Sequence, residues 1–221
     1  MTTFRVQGFA ARGLLLALVV AGATAGFSAP AQAASPAVDR TEGFIAAFKK
    51  VKSSDKATAA DRKANEAAFA ELDRFMDFEA ITEKPIQPRA SKFSPKQKAE
   101  FTTKFRELIR AIAYPDSGRF FRDAKLKVGE ATEKDGALVV PIDARVVKDD
   151  LRTKLELYWA KKDGGLRLID VAFDGDSLIQ DYQNQFARII DKEGVAGLLK
   201  KLDEKKAELD RGGSKGARAA K

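Results

Sequence analysis

The chain has 221 residues, of which 40 are Lys or Arg and 32 are Asp or Glu, and it contains neither His nor Cys. These counts exclude disulfides, thiolate or His-ligated metal sites and His-based catalytic triads. The hydrophobic fraction of 44% is typical of a folded domain, and the formal charge of +8 favours anionic partners such as nucleic acid or membrane headgroups.

The first 33 residues have the pattern of a secretory signal peptide. Arg5 and Arg12 are followed by an apolar run from Gly13 to Phe27 and by a small-x-small triplet that ends at Ala33. This run of 15 residues is shorter than the roughly 20 that span a bilayer, which favours a cleaved signal over a membrane anchor. We therefore predict export after cleavage between residues 33 and 34, to the periplasm in a Gram-negative bacterium. Export argues against a nucleic-acid partner.

The exported part begins with predicted helices. Apolar residues at helical spacing predict helices over 39–51 and 58–75, and Asp77 can cap a short third helix. The segment 84–93 contains two prolines and is predicted to be irregular.

The sequence Ser94-Pro95-Lys96-Gln97 is a strong helix start, because Ser94 suits the N-cap, Pro95 the first position and Gln97 a capping box. This helix carries a wide stripe of large apolar residues. It is predicted to end before Pro115, because proline disrupts a helix interior.

Four later segments have the pattern of β-strands: 124–130, 137–147, 151–161 and 166–173. Short turn sequences connect them, which predicts an antiparallel meander. Alternating apolar residues in the third segment predict one buried sheet face.

Two more helices are predicted, over 176–190, capped by Asp176 or Ser177, and over 195–209, after an interruption at Gly194. The fold class is therefore α+β, with a curved four-stranded antiparallel sheet of the NTF2-like or cone-like kind, covered by helices on one face. We predict a single domain over 34–210 and a disordered basic tail over 211–221.

The acidic residues do not form a recognisable catalytic or metal site. Asp170, Asp174 and Asp176 flank the last strand, but their spacing does not match a calcium loop. We interpret them as solvent-facing, turn and capping residues, and we predict no metal site.

The basic residues form two groups, which suit either a solvated face or a surface that meets anionic headgroups or an acidic partner. One group surrounds the Pro-rich segment, and the other lies in the last helix: Lys84, Arg89, Lys92, Lys96 and Lys98; and Lys200, Lys201, Lys205 and Lys206.

Five motifs occur in the order typical of one family. The run 165–179 contains Asp-Val-x-x-Asp-Gly-x-Ser-Leu and is followed by the motifs at 181–186 and 194–199, while those at 76–81 and 94–101 precede it. Together they resemble the toluene-tolerance/MlaC family of exported phospholipid-binding proteins. The sequence departs from the family pattern at 85–90, at 115–118 and at Leu166.

The resemblance implies a carrier that moves a phospholipid between an outer-membrane lipoprotein complex and an inner-membrane ABC transporter that bears an MCE-domain protein. The acyl chains would lie in an apolar pocket between the sheet and the helices. No covalent step is needed, so we predict neither an enzyme nor a cofactor. Related members are linked to solvent tolerance or hopanoid traffic, so a different lipid is an alternative cargo.

The faces of the predicted elements give a set of candidate pocket residues, any of which could instead belong to a packed core. They are Phe101, Phe105, Leu108, Ile112, Val139, Leu155, Leu157, Trp159, Val171, Phe173, Leu178, Tyr182 and Phe186.

Two other classes of function remain open from the residues alone. An exported adaptor predicts a filled core and a surface that binds a partner. An enzyme of the cone-like fold predicts polar groups that converge in the cavity, and the apolar strand faces count against it.

Overall fold

The computed structural model describes residues 35–52 and 59–218, so the predicted signal peptide lies outside the described residues. The elements, in chain order, are α1 (Pro36–Lys50), α2 (Ala59–Asp73), α3 (Phe78–Glu83), a 3₁₀ helix (Lys84–Lys92), α4 (Pro95–Leu108), a π-helical segment (Ile109–Ala113), α5 (Tyr114–Asp123), β1 (Ala124–Val128), β2 (Thr132–Lys134), β3 (Ala137–Val146), a 3₁₀ turn (Val147–Asp149), β4 (Leu151–Lys162), β5 (Gly165–Phe173), β6 (Asp176–Ser177) and α6 (Leu178–Arg218). None of the described helices has the length and apolarity to cross a bilayer.

Local capping fixes where several helices begin. The side chains of Ser35, Asp77, Ser94 and Ser177 each accept a hydrogen bond from the backbone N–H three residues later. Gln97 completes the predicted capping box, because its Oε1 accepts a bond of 2.9 Å from the Ser94 N–H. The predicted starts near Asp77, Ser94 and Ser177 are therefore confirmed.

The region between α3 and β1 differs from the prediction. The segment 84–92 is a 3₁₀ helix rather than an irregular stretch, because its two prolines fix φ in the range that a 3₁₀ helix uses. The helix predicted to end before Pro115 instead passes through the π-helical segment into α5. Pro115 lies in the first turn of α5, where its missing N–H is tolerated.

The sheet is antiparallel, with the order β1-β3-β4-β5-β6 and with β2 also paired to β3. The four predicted strands are its long members, but β2 and β6 make the sheet six-stranded rather than four-stranded. These strands have three and two residues, which is too short to show an alternating pattern. The hairpin turns at Asp135-Gly136 and Asp163-Gly164 have positive φ at both residues, as type I′ turns require.

The helices α1, α2 and α5 supply the apolar residues that pack against one sheet face. We call this group the sheet core, and it includes Phe44, Phe48, Leu72, Phe75, Tyr114, Phe121, Val140, Ile142, Leu155, Leu157, Trp159 and Leu168.

A second buried group lies where α4 and the 3₁₀ helix contact α6. We call it the helical core, and it includes Ile86, Phe101, Phe105, Leu108, Phe186, Ile190, Leu198 and Leu202. The predicted interruption of α6 at Gly194 is confirmed, because its φ of 71° and ψ of 178° are not helical. Helical backbone continues to Arg218, and the disordered tail over 211–221 stays a prediction.

Candidate functional site

The helical core is built around a cluster of aromatic rings. The Phe105 ring lies 5.1 Å from Phe186 and 5.0 Å from Tyr182, and the Phe101 ring lies 5.5 Å from Phe105 and from Phe186. Edge-to-face pairs at these distances are favourable beyond the burial of their area. Burial also raises the pKa of the Tyr182 hydroxyl above its ordinary value. The structure therefore brings the candidate residues Phe101, Phe105, Tyr182 and Phe186 together, and their role as a lipid site stays a prediction.

The sheet core is centred on Trp159 of β4. Its indole ring meets the Phe44 ring edge-on at 5.8 Å, and its Nε1–H donates a bond of 2.9 Å to Thr41 Oγ1 of α1. Both Trp159 and Thr41 are fully buried, so this bond fixes α1 on the sheet without leaving a polar group unpaired. Leu155 and Leu157 of the same strand complete the predicted inward face.

One candidate residue of the sheet points to the opposite face. Val139 pairs with Tyr158, whereas Val140 pairs with Leu157 and Ile142 pairs with Leu155. Residues directly opposite each other share a face, so Val140 and Ile142 face the helices in place of Val139. Asp143 and Arg145 alternate with Ile142 and Ala144 in the sequence, which indicates that the even-numbered residues of β3 point inward. This signal could have corrected the prediction.

Eight of the thirteen candidate residues are at most 5% exposed, so little or none of their surface borders space large enough for water. They are Phe101, Phe105, Leu108, Val139, Leu155, Leu157, Trp159 and Phe186. At these positions the apolar side chains pack against other protein atoms. This packing is favourable, since a void would remove the close contacts of the atoms around it.

The other five candidates are half-buried: Ile112, Val171, Phe173, Leu178 and Tyr182. Val171 and Phe173 of β5 pack on the sheet core, while Leu178 and Tyr182 lie in the first turns of α6. Since α6 contacts β5, these residues mark where the two cores adjoin. We call this region the seam. Ile112 lies in the π-helical segment.

A polar group connects the elements of the two cores. Asp73, at the end of α2, accepts a bond of 2.9 Å from the Tyr114 hydroxyl and one of 3.0 Å from Arg106 Nη2. Arg110 Nη1 lies 3.7 Å from the same carboxylate. Burial, together with the neighbouring Asp73 charge, raises the pKa of Tyr114. This group joins α2 to the consecutive elements α4, the π-helical segment and α5, which contribute to both cores.

The acidic residues near the last strand serve the backbone. Asp170 accepts bonds from the Ser177 hydroxyl and from the Ile179 N–H, so it holds the start of α6 instead of facing solvent alone. Asp174 accepts from Thr153 Oγ1 at 3.2 Å and from the Lys154 N–H at 2.8 Å. Within residues 35–52 and 59–218, no three carboxylates are grouped so that they could hold a metal ion.

Most of the lysines and arginines around the helical core are paired with carboxylates. Arg89 and Lys92 both bind Asp191, and their hydrogen bonds hold the pKa of that carboxyl well below its ordinary value. Lys201 pairs with Glu193 at 3.1 Å, and Lys206 of α6 pairs with Glu107 of α4. These pairs favour the interpretation of this surface as a solvated face.

The comparisons with known proteins bear on this arrangement. The family described as MlaC protein matches residues 42–204. The chain belongs to the MlaC family. A solved structure of the phospholipid-binding protein from Ralstonia solanacearum, in complex with a phospholipid, is similar with a TM-score of 0.62 and 21% identity, and the match covers 80% of this chain and 99% of that one. No curated protein sequence matches.

The MlaC match begins in α1 and ends in α6, so it includes every element that contributes to the two cores. The similarity to the Ralstonia protein shows that the order of helices and sheet is shared. The family that the sequence motifs resemble is thereby confirmed.

Proposed function

We propose that this MlaC-family chain is a periplasmic lipid carrier that binds the acyl chains of a phospholipid between the sheet core and the helical core. The observation that carries the proposal is the family match over 42–204, which spans both cores. The phospholipid in the structure of the similarly folded Ralstonia protein supports the same ligand class.

The physical need for such a carrier is large. Two acyl chains expose roughly 30 methylenes to water at about 0.8 kcal/mol each, so unassisted transfer between membranes is very slow. A carrier must cover most of this surface, yet its net affinity must stay well below that total for the lipid to be released. Apolar side chains without a nucleophile are sufficient for this task.

The acyl chains would enter at the seam. The buried residues of both cores are packed, whereas Val171, Phe173, Leu178 and Tyr182 are half-buried where β5 adjoins α6. Separation of the helical core from the sheet core would turn the buried faces of Phe105 and the neighbouring rings into a pocket lining. The packed and opened forms would differ by only a few kcal/mol, so that a lipid can shift their populations.

The carrier would receive and deliver its lipid through other proteins. We propose an outer-membrane lipoprotein complex at one end and an MCE-domain protein of an inner-membrane ABC transporter at the other, after export directed by the signal at 1–33. Binding and handover need no chemical step, so the proposed function is not enzymatic.

Native mass spectrometry tests this function. The exported protein would be purified from its own periplasm without detergent, and its lipids would then be extracted and identified. We expect one phospholipid per chain. If the extracted lipid is a hopanoid instead, the cargo of the carrier is a different lipid from the one proposed. A lipid-free mass that stays unchanged when phospholipid is supplied would contradict the carrier and favour the exported adaptor, which the packed cores also fit.

A further inference from the structure

A groove of about 520 Å³ crosses β1, β3 and β4 on the sheet face that points away from the helices. Leu126, Ala144 and Thr153, which pair with one another across the three strands, also border the groove, and Leu126 and Ala144 pack on the sheet core. The residues that alternate with them line its walls, and those residues are mainly basic. This groove is separate from the seam and plays no part in the proposed acyl-chain site.

The strand register brings three cations into one row. Lys125 of β1 pairs with Arg145 of β3, and Arg145 pairs with Arg152 of β4. Like charges directly opposite each other on a sheet repel, so this row destabilises the free protein. An external anion placed across the three strands would relieve that repulsion.

A second row adds two more cations around one carboxylate. Asp143 pairs across the strands with Lys127 on one side and with Lys154 on the other. Asp174, the other carboxylate in the groove, accepts hydrogen bonds from Thr153 and from the Lys154 backbone. Five cations therefore face two carboxylates, which leaves the groove with an excess of positive charge.

Few of these cations are neutralised by neighbours. Arg145 lies 3.5 Å from Asp150, and none of the other four cations forms an ion pair with any side chain that the structure describes. The lysines of α6 differ, because several of them pair with carboxylates of α4 or of α6 itself. The groove is therefore suited to an anionic partner, and the α6 surface is not.

An exposed apolar side chain adjoins the basic rows and narrows the choice of partner. Val147 follows β3 two residues after Arg145 and is 53% exposed, more than any other large apolar side chain that the structure describes. Cations that meet headgroups beside an apolar tip that enters the interface are typical of proteins that lie on a membrane surface. An acidic peptide or a free phosphate would leave Val147 without a role.

We infer that the outer face of β1, β3 and β4 is a docking surface for an anionic phospholipid membrane, with the basic rows on the headgroups and Val147 at the interface. This inference goes beyond the proposed carrier function and does not depend on the seam. Binding would be weak and sensitive to salt, since exposed charges are screened over about 8 Å at physiological ionic strength. Weak binding suits a protein that must leave each membrane again.

Vesicle flotation tests the surface. The exported protein would be mixed with vesicles of phosphatidylglycerol and phosphatidylethanolamine, or with phosphatidylcholine alone, at low and at high salt. We expect binding to the anionic vesicles only, lost at high salt. Lys125→Gln/Lys154→Gln should weaken it roughly 25-fold, because each cation near an anionic membrane contributes about fivefold. Lys96→Gln/Lys200→Gln makes the same charge change on exposed positions of α4 and α6 and should leave binding unchanged.

Three results would overturn the inference: no binding to anionic vesicles, equal loss in the two double variants, or binding to polyglutamate but not to vesicles, which would assign the groove to an acidic protein partner. Native mass spectra of the same samples distinguish this outcome from failure of the carrier proposal. Lys125→Gln/Lys154→Gln should retain the phospholipid adduct of the parent protein, whereas a parent without lipid contradicts the carrier alone.

Discussion

The sheet core and the helical core are both buried, but they are held by different interactions. In the sheet core, paired strands and the buried bond from Trp159 to Thr41 fix the helices on the sheet. In the helical core, the rings of Phe101, Phe105 and Phe186 supply the contacts, and several of the surrounding polar links are exposed ion pairs. Exposed ion pairs contribute little to stability, whereas a buried polar bond is costly to break.

This difference indicates which part of the molecule would move. Apolar contacts between helices are non-directional, so they can be replaced by contacts with acyl chains at little cost. The bond between Trp159 and Thr41 has no such substitute. We therefore expect the sheet core to maintain the fold and the helical core to open, and four substitutions can break or sharpen this distinction.

The largest effect is expected at the centre of the sheet core. Leu157 is fully buried, so Leu157→Arg would place an unpaired charge among apolar side chains and lower the free energy of unfolding by about 4 kcal/mol or more. Urea denaturation measures this loss. Leu157→Met preserves the volume and should cost less than about 1.5 kcal/mol. A stably folded Leu157→Arg chain that no longer binds lipid would show that this position lines the pocket instead. A stably folded chain that still binds lipid would show that Leu157 faces neither the core nor the pocket.

The buried bond of the sheet core gives the next effect. Thr41→Val removes the acceptor and leaves the indole N–H of Trp159 unpaired, which should lower the free energy of unfolding by about 1–3 kcal/mol. Thr41→Ser keeps the hydroxyl and loses one methyl group, worth about 0.8 kcal/mol. Urea denaturation measures both variants. If Thr41→Val lowers the free energy of unfolding no more than Thr41→Ser does, the bond to Trp159 does not make the sheet core more rigid than the helical core.

At the seam, a substitution should affect lipid binding more than stability. Leu178→Asp puts a charge at a half-buried position in the first turn of α6, where an acidic residue suits the helix dipole. We expect phospholipid to bind at least tenfold more weakly, about 1.4 kcal/mol, with little change in the unfolding midpoint. Gln180→Asp places the same charge at an exposed position of that turn. Equal losses in the two variants would remove the seam from the binding site.

The smallest effect is expected at the surface of the helical core. The pKa of Asp191 is lowered by its bonds to Arg89 and Lys92, so its stabilising effect is present above the ordinary carboxyl pKa of about 3.9 and is lost as the pH falls below it. Asp191→Asn should therefore be slightly less stable than the parent at neutral pH, and the stabilities of the two proteins should become similar in acid. Urea midpoints across this range measure the difference.

The control for that series is Asp176→Asn, which removes an exposed carboxylate that pairs with no described cation. The difference in urea midpoint between Asp176→Asn and the parent should not become smaller as the pH falls. A constant difference for Asp191→Asn would indicate that Arg89 and Lys92 do not stabilise the charged form.

Local features of the fold were predictable because their causes lie within a few residues. The capping box at Ser94 and Gln97, the cap at Asp77 and the alternation of β4 all agree with the structure. The continuation of the helix past Pro115 could not be foreseen, since a π-helical turn shifts the register before the proline. The strands β2 and β6 exist only because longer strands offer them edges.

The candidate site was harder to predict than the fold. The apolar run from Leu138 to Val140 does not reveal which residue points inward, and the prediction placed Val139 on the wrong face. The row of Lys125, Arg145 and Arg152 arises from the strand register of residues up to 27 positions apart and leaves no pattern in the sequence. The packing of the candidate residues depends on how α4 and α6 lie against each other and against the sheet, which no local sequence pattern records.

The central claim is that phospholipid separates the helical core from the sheet core. The chain contains no Cys, so spin labels attach only to introduced pairs, and the distance between labels at Lys161→Cys in β4 and Lys200→Cys in α6 reports the separation. Adding phospholipid should lengthen this distance by several ångströms, while a Glu133→Cys/Lys161→Cys pair within the sheet stays unchanged. An unaltered distance between β4 and α6 in protein shown to hold lipid would contradict the account.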